Sequence, residues 1–223
     1  MHIPSVAESR IAADVLARLP ASPSPAPPWE SLVAAVVWLQ RATPSARGAL
    51  PPAIGRGAPA APLVAGALVD YRSGPVGPYR EVFAGPLLVG GGAPRLHVPF
   101  IAVDSLESLA AGRRNWALPK GPARFEGEVG AGGRVRVAGA GWALAVTVAA
   151  RGRSVPLAAA LACDQVWPDG AVRRFVVRVR GRARLATVHV EHPVSSGPEA
   201  WIGAGRHPAV VLSARQTVGP ARG

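Results

Sequence analysis

The chain has 223 residues, enough for one domain with a substantial core, and its 49% apolar and 17% charged residues exclude a disordered chain. Its 26 glycines and 24 prolines imply short strands and many turns rather than long helices. A net charge of +12 raises nucleic acid as a partner, while the single cysteine, Cys163, excludes an intrachain disulfide and a cysteine-held zinc.

In chain order, Ile11, Val15, Leu16 and Leu19 recur at helical spacing and predict a short amphipathic helix over Ile3 to Leu19. Pro20 to Pro28 follows as a stiff extended linker that separates the helix from the body. Two parts result: residues 1–28, helix and Pro-rich linker, and residues 29–223, a single domain. No run approaches the roughly 18 apolar residues of a membrane helix, and Met1 to Ala12 lacks a signal peptide's basic start and apolar centre. A cytoplasmic protein with no membrane partner is therefore expected.

The body reads mostly as strand. Ser31 to Gln40 is an apolar run suited to a buried strand, Ala42 to Pro52 is turn-rich, and Leu63 to Tyr71 is the next strand. Tyr79 to Val89 and Arg95 to Val103 form a hairpin around Gly90-Gly91-Gly92. Asp104 or Ser105 caps a helix running to about Gly112. Ala123 to Val129, Arg134 to Val137, Trp142 to Ala149, Val172 to Arg180 and Arg184 to Val190 then read as antiparallel strands. From Trp201 onward the pattern is weak, with Ala209 to Ala214 as a final short element. The expected class is α+β, mainly β: an antiparallel barrel or sheet flanked by short helices.

The densest arginine set, Arg173, Arg174, Arg178, Arg180, Arg182 and Arg184, falls in two strands whose alternation turns most of them to solvent, so no nucleic-acid partner is expected. His97, His189 and His192 have no ligand spacing on one helix and read as packed or surface groups, with no metal site. Ser195-Ser196-Gly197 lacks the strand-turn-helix setting of a nucleophile elbow, and Gly90-Gly91-Gly92 lacks a following phosphate-binding helix.

Among the 25 lysines and arginines, Lys120 is the only lysine. An amine can lose its proton and attack a carbonyl, whereas a guanidinium stays charged and is not a nucleophile. Lys120 follows Pro119 in Asn115-Trp116-Ala117-Leu118-Pro119-Lys120, with apolar neighbours Trp116 and Leu118. This stretch points to a Schiff-base lysine.

Four blocks carry a family resemblance. Val69-Asp70-Tyr71-Arg72-Ser73-Gly74-Pro75, Pro78-Tyr79-Arg80-Glu81-Val82, Val103-Asp104-Ser105 and Gly112-Arg113-Arg114-Asn115-Trp116-Ala117-Leu118-Pro119-Lys120 together resemble the acetoacetate decarboxylase-like superfamily in order and spacing. The resemblance implies a closed or nearly closed antiparallel β-barrel with the lysine inside its cavity. It implies that Lys120 forms an imine with a β-keto acid and accepts electrons as carbon dioxide leaves, that Glu81 acts as acid/base or orients substrate, and that no cofactor takes part. Arg113 is expected to cap the helix or bind a carboxylate, and Tyr79 and Trp116 to form cavity wall around the substrate. Self-association is expected because family members are often oligomers. Three departures stand out: Gly121 replaces a second lysine, Arg114 stands where the family has an acidic residue after Gly-Arg, and the strand over Leu63 to Leu68 is wholly apolar where the decarboxylases carry an acidic residue. The expected function is a cofactor-independent carboxy-lyase acting on a small-molecule keto acid; the alternatives are an imine-dependent aldolase or dehydratase and a non-catalytic small-molecule binding barrel.

Overall fold

In the computed structural model the described residues are 11–43, 46, 50–57, 60–90, 93–130, 132–194 and 201–223. Ser195-Ser196-Gly197, Gly91 and Gly92, the first ten residues of the chain and parts of the Ala42–Pro52 segment lie outside them. The elements are α1 (Ala13–Ala17), β1 (Trp29–Arg41), α2 (Pro52–Gly57), β2 (Ala60–Ser73), β3 (Tyr79–Leu88), β4 (Arg95–Leu96), β5 (Phe100–Val103), α3 (Leu106–Trp116), β6 (Lys120–Pro122), β7 (Arg124–Glu126), β8 (Gly132–Gly139), β9 (Trp142–Ala150), β10 (Val155–Val166), β11 (Val172–Val194) and β12 (Gly205–Val218).

The pairing order β10-β4-β3-β2-β1-β12-β11 returns to β10, so the sheet curls into a nearly closed, mainly antiparallel ring. β7, β8 and β9 extend it beyond β11. Closure is narrow, because β10 meets β4 through two residue pairs, Ala162 with Arg95 and Cys163 with Leu96. Charge reinforces that seam. Asp164, buried on β10, takes Arg95 Nε of β4 at 2.8 Å and Arg174 Nε of β11 at 2.7 Å. Burial alone would push this carboxyl up, but its hydrogen bonds to Arg174 and Arg95 and their charges outweigh that and hold it below the usual carboxylate range.

β1 is central, and its middle, residues 33–38, is covered on both faces, which suits its apolar, valine-rich sequence. Val36 and Trp38 pack with β8, β9 and β11 side chains such as Val135, Val146 and Val188 in one core. Alternate residues Trp29, Ser31, Ala35 and Val37 point the other way, into a cavity enclosed by the ring. β2 and β3 divide alike: Ala65, Ala67, Val69 and Tyr71, then Tyr79, Glu81 and Phe83, face the cavity.

Several elements differ from the sequence reading. Gly181 and Arg182 were expected to break two strands, yet β11 runs through them. A Cβ on Gly181 would lie 2.2 Å from Ser213 O, so this glycine serves close approach of β12 rather than a turn. β12 is a 14-residue strand paired to both β1 and β11, and β10 is a 12-residue strand the reading did not contain. Arg95–Val103 divides into β4 and β5, and α3 continues to Trp116. Of the six clustered arginines, Arg174, Arg178, Arg180 and Arg182 are exposed on one face of β11, where Arg174 also reaches Asp164 and Arg182 Nη2 donates to Ser154 O at 2.6 Å.

At the N-terminal end, α1 buries Val15 in the same apolar cluster as Val33, Ala35 and Leu212. The Pro-rich segment lies along the end of α3: Arg114 Nη1 donates to Ser24 Oγ at 2.9 Å and Asn115 Nδ2 to Pro25 O at 2.8 Å. No helix among the described residues is long and apolar enough to cross a membrane.

Candidate active site

The chain reaches Lys120 through a sharp reversal. Ser105 caps α3, its Oγ accepting from Ser108 N at 3.1 Å, while Asp104 turns away to take Arg80 Nε at 2.8 Å. At the far end Ala117 adopts φ 51°, its N–H returning to Arg113 O, and Leu118 N–H reaches Gly112 O. A left-handed alanine costs about 1 kcal/mol. It turns the chain so that β6 starts at Lys120 and pairs in parallel with β5, Lys120 opposite Ile101. β5 in turn pairs with β3, Glu81 opposite Val103, so residues 39 apart in sequence meet.

Lys120 Nζ lies 2.7 Å from Glu81 Oε2 and donates to Ser108 Oγ at 2.9 Å. Lysine and glutamate are each 3% exposed. Alternation along β3 separates neighbours: Arg80 goes to Asp104 on the outside, and Glu81 goes inward to Lys120. Tyr71 Oη donates to Glu81 Oε1 at 3.3 Å and accepts from Gln216 Nε2 at 3.1 Å. Tyr79 stacks on Tyr71 with ring centroids 4.2 Å apart, and Lys120 Nζ sits 5.1 Å from the centre of the Tyr79 ring. Burial pushes the Tyr71 phenol up, and the Glu81 carboxylate adds to it. Burial also pushes Tyr79 up, with Tyr71 and Glu81 adding. Both stay protonated at neutral pH, and Tyr71 can donate to the carboxylate.

Gly112 decides whether this geometry exists. A Cβ there would stand 2.6 Å from both Cδ and Cε of Lys120 and 3.3 Å from Nζ. The lysine therefore lies flat on bare helix backbone, with Ser108, one turn earlier on the same face, receiving its ammonium.

The remaining residues singled out in the sequence fall around this centre. Trp116 lines the cavity, stacks edge-on against Trp29 at 4.9 Å and donates its indole N–H to Gly219 O at 2.8 Å. Tyr79 is cavity wall. Arg113 is fully buried behind the lysine, its Nε donating to Lys120 O at 2.8 Å, and it is not among the cavity-lining residues. Gly121 has open space around its Cα. The cavity measures about 370 Å³. Cys163 forms part of its wall, and burial pushes its thiol up to about 12. His97 is buried with Nδ1 3.0 Å from Asp164 O, and His192 Nε2 lies 2.7 Å from Ile202 O.

Ser108, Tyr71, Gln216 and Gly112 were not identified as site residues in the sequence. Helical spacing of Ser108 and Gly112 ahead of Pro119-Lys120 is a signal that was there to use. Gln216 carried none, since it arrives from β12, whose pattern is weak.

A buried lysine is thus paired with a carboxylate at the edge of a mainly apolar cavity inside a nearly closed β ring. The chain belongs to the acetoacetate decarboxylase family, whose model, described as acetoacetate decarboxylase (ADC), matches residues 18–206. Among solved structures, it resembles one described as structural studies of acetoacetate decarboxylase, with 12% identity, TM-score 0.65 and coverage of 95% of this chain and 97% of that one. The enduracididine biosynthesis enzyme MppR, complexed with pyruvate, gives 20% identity, TM-score 0.64 and coverage of 91% and 92%. An acetoacetate decarboxylase-like enzyme from Sphingomonas wittichii gives 19% identity, TM-score 0.57 and coverage of 91% and 94%. No curated protein sequence matches the chain.

Proposed function

We propose that this protein is a cofactor-independent lyase that decarboxylates a β-keto acid through an imine on Lys120. The observation that carries the reading is the buried Lys120 Nζ, 2.7 Å from Glu81 Oε2 at the polar end of a mainly apolar cavity. Glu81 accepts a proton from the ammonium, and the neutral amine attacks the ketone carbon. Loss of water leaves a protonated imine. The bond to the carboxylate then breaks, its electron pair flows into the iminium, and carbon dioxide and an enamine result. Glu81, having given the ammonium's proton to the departing water, takes one from solvent and delivers it to the enamine carbon; water hydrolyses the resulting iminium and restores the Lys120 ammonium. An apolar wall favours the step in which the substrate's charge departs as a neutral gas.

Around this pair, Tyr71 orients the carboxylate and Ser108 aims the ammonium. Tyr79 and Trp116 contact substrate as cavity wall. Arg113 holds the Lys120 carbonyl and so positions the nucleophile. The relative complexed with pyruvate supports a keto acid as ligand.

A second reading, aldol or dehydrating chemistry on the same enamine, is favoured by one observation: MppR is also described in complex with the condensation product of pyruvate and imidazole 4-carboxaldehyde. Carbon dioxide release from acetoacetate and from 3-oxooctanoate separates the two. The proposal expects release that falls to the uncatalysed rate in Lys120→Arg. Condensation of pyruvate with an aldehyde, without carbon dioxide, moves the assignment to the second reading, and binding without either reaction refutes both.

A further inference from the structure

We infer that the carbonyl substrate carries an extended apolar chain, seated in the cavity between Lys120 and β10; this rests on the imine reading above. Of the 29 described residues that line the cavity, six carry a polar side chain, counting the tyrosines and not the cysteine or the indoles. These six gather at one end. Gln216 donates to Tyr71, Tyr71 to Glu81 and Lys120 to Glu81; Tyr79 stacks on Tyr71, and Ser31 faces Gln216 across the β1–β12 register. The rest of the wall is aliphatic or aromatic, and its two indoles turn their N–H groups outward to Pro25 O and Gly219 O, presenting carbon to the interior.

Size points the same way. A cavity of about 370 Å³ falls in the range of roughly 300–1,000 Å³ that holds drug-sized ligands. Pyruvate or acetoacetate would leave most of it empty, and an apolar wall facing a void forfeits its dispersion contacts. The room comes from small residues at inward positions: Ala35 on β1, Ala65 and Ala67 on β2, Ala159 on β10.

The cavity also has an apolar exit. Among the described residues no strand pairs with Val155–Leu161 on the side of β10 away from β11, since β4 reaches only Ala162 and Cys163. Ala159 and Ala160 are exposed at this edge while lining the cavity, and Leu157 there and Val179, opposite Ala159 on β11, share a cluster with Val15 of α1. The side chains along this path offer no partner to a charged or hydroxylated chain. An alkyl or aryl chain exchanges water for carbon throughout.

The test uses methyl ketones, which form the imine without decarboxylating. The amine adds to the carbonyl carbon, water leaves, and borohydride delivers hydride to fix a secondary amine read by intact mass. Across acetone, 2-pentanone, 2-heptanone and 2-nonanone, the half-saturating concentration for trapping at Lys120 is expected to fall about fourfold per methylene. Ala159→Phe, at an exposed position, is expected to shrink the ratio between 2-nonanone and acetone. Trapping that is equally efficient at every length overturns the inference and leaves the imine reading standing. If no ketone is trapped, the imine reading fails, and Trp29 and Trp116 emission decides separately: a saturable response to 2-nonanone in the Lys120→Met protein keeps the apolar-chain site, and an unchanged spectrum overturns it.

Discussion

Gly112→Ala sets catalysis and stability in opposition. The added methyl would lie 2.6 Å from Cδ and Cε of Lys120. Carbon atoms rest at about 3.5–4.0 Å, so the lysine stem must retreat by roughly 1 Å. Its contacts at 2.7 Å to Glu81 and 2.9 Å to Ser108 cannot both survive that retreat. A misplacement of about 1 Å at a reacting group costs on the order of 10²-fold in rate. The lysine keeps its ion pair with Glu81 and gives up the Ser108 contact; that loss of about 1 kcal/mol is offset by alanine in a helix interior, worth up to about 1 kcal/mol over glycine. The assay pairs the rate of borohydride trapping with the thermal midpoint, measured on the same preparation. Trapping about 100-fold slower with an equal or higher midpoint is expected. Trapping at the native rate would refute the placement of Lys120 against bare helix backbone, and so the geometry of the site.

Glu81→Gln keeps the shape but removes the charge that balances a buried ammonium; about 3 kcal/mol of stability is lost by chemical denaturation. Trapping also slows by about 10²-fold or more as the proton acceptor goes. Asp164→Asn should alter the acid limb of the stability curve. A carboxyl whose folded value is depressed contributes stability above its unfolded value, near 3.9, and loses it as pH falls through the lower folded value. The native protein therefore loses stability steeply below about pH 4, while the asparagine variant starts lower at pH 7 and falls less over that window, as urea titrations at each pH would read.

How much of this was legible in the sequence depends on where each residue's partner lies. Lys120 and Glu81 stood out because their blocks hold a recognisable spacing, and the β3–β5–β6 register then brings them together. The nearly closed antiparallel ring was likewise expected. β10 escaped because its Pro156 and run of alanines have low strand propensity, and it is held by twelve pairs to β11 rather than by its own preference. β11 was divided at Gly181 because a glycine beside an arginine reads as a turn, whereas its purpose is to admit the β12 backbone. Gln216 needed the whole of β12, of which only Ala209 to Ala214 was legible, because the strand is packed between β1 and β11 with no clean alternation of its own. The linker reading gave stiffness but not destination: Ser24 and Pro25 find their partners on Arg114 and Asn115, some ninety residues later.

The central claim is that Lys120 is the nucleophile, and its being the only lysine makes the measurement clean. The protein is incubated with acetoacetate or pyruvate, reduced with borohydride, weighed intact and mapped by peptide mass. One adduct is predicted on Lys120, pyruvate less water plus two hydrogens from pyruvate and, because acetoacetate loses carbon dioxide on the lysine, acetone less water plus two hydrogens from acetoacetate, and none in Lys120→Arg. An unmodified native chain, or an adduct that persists in Lys120→Arg, would contradict the account.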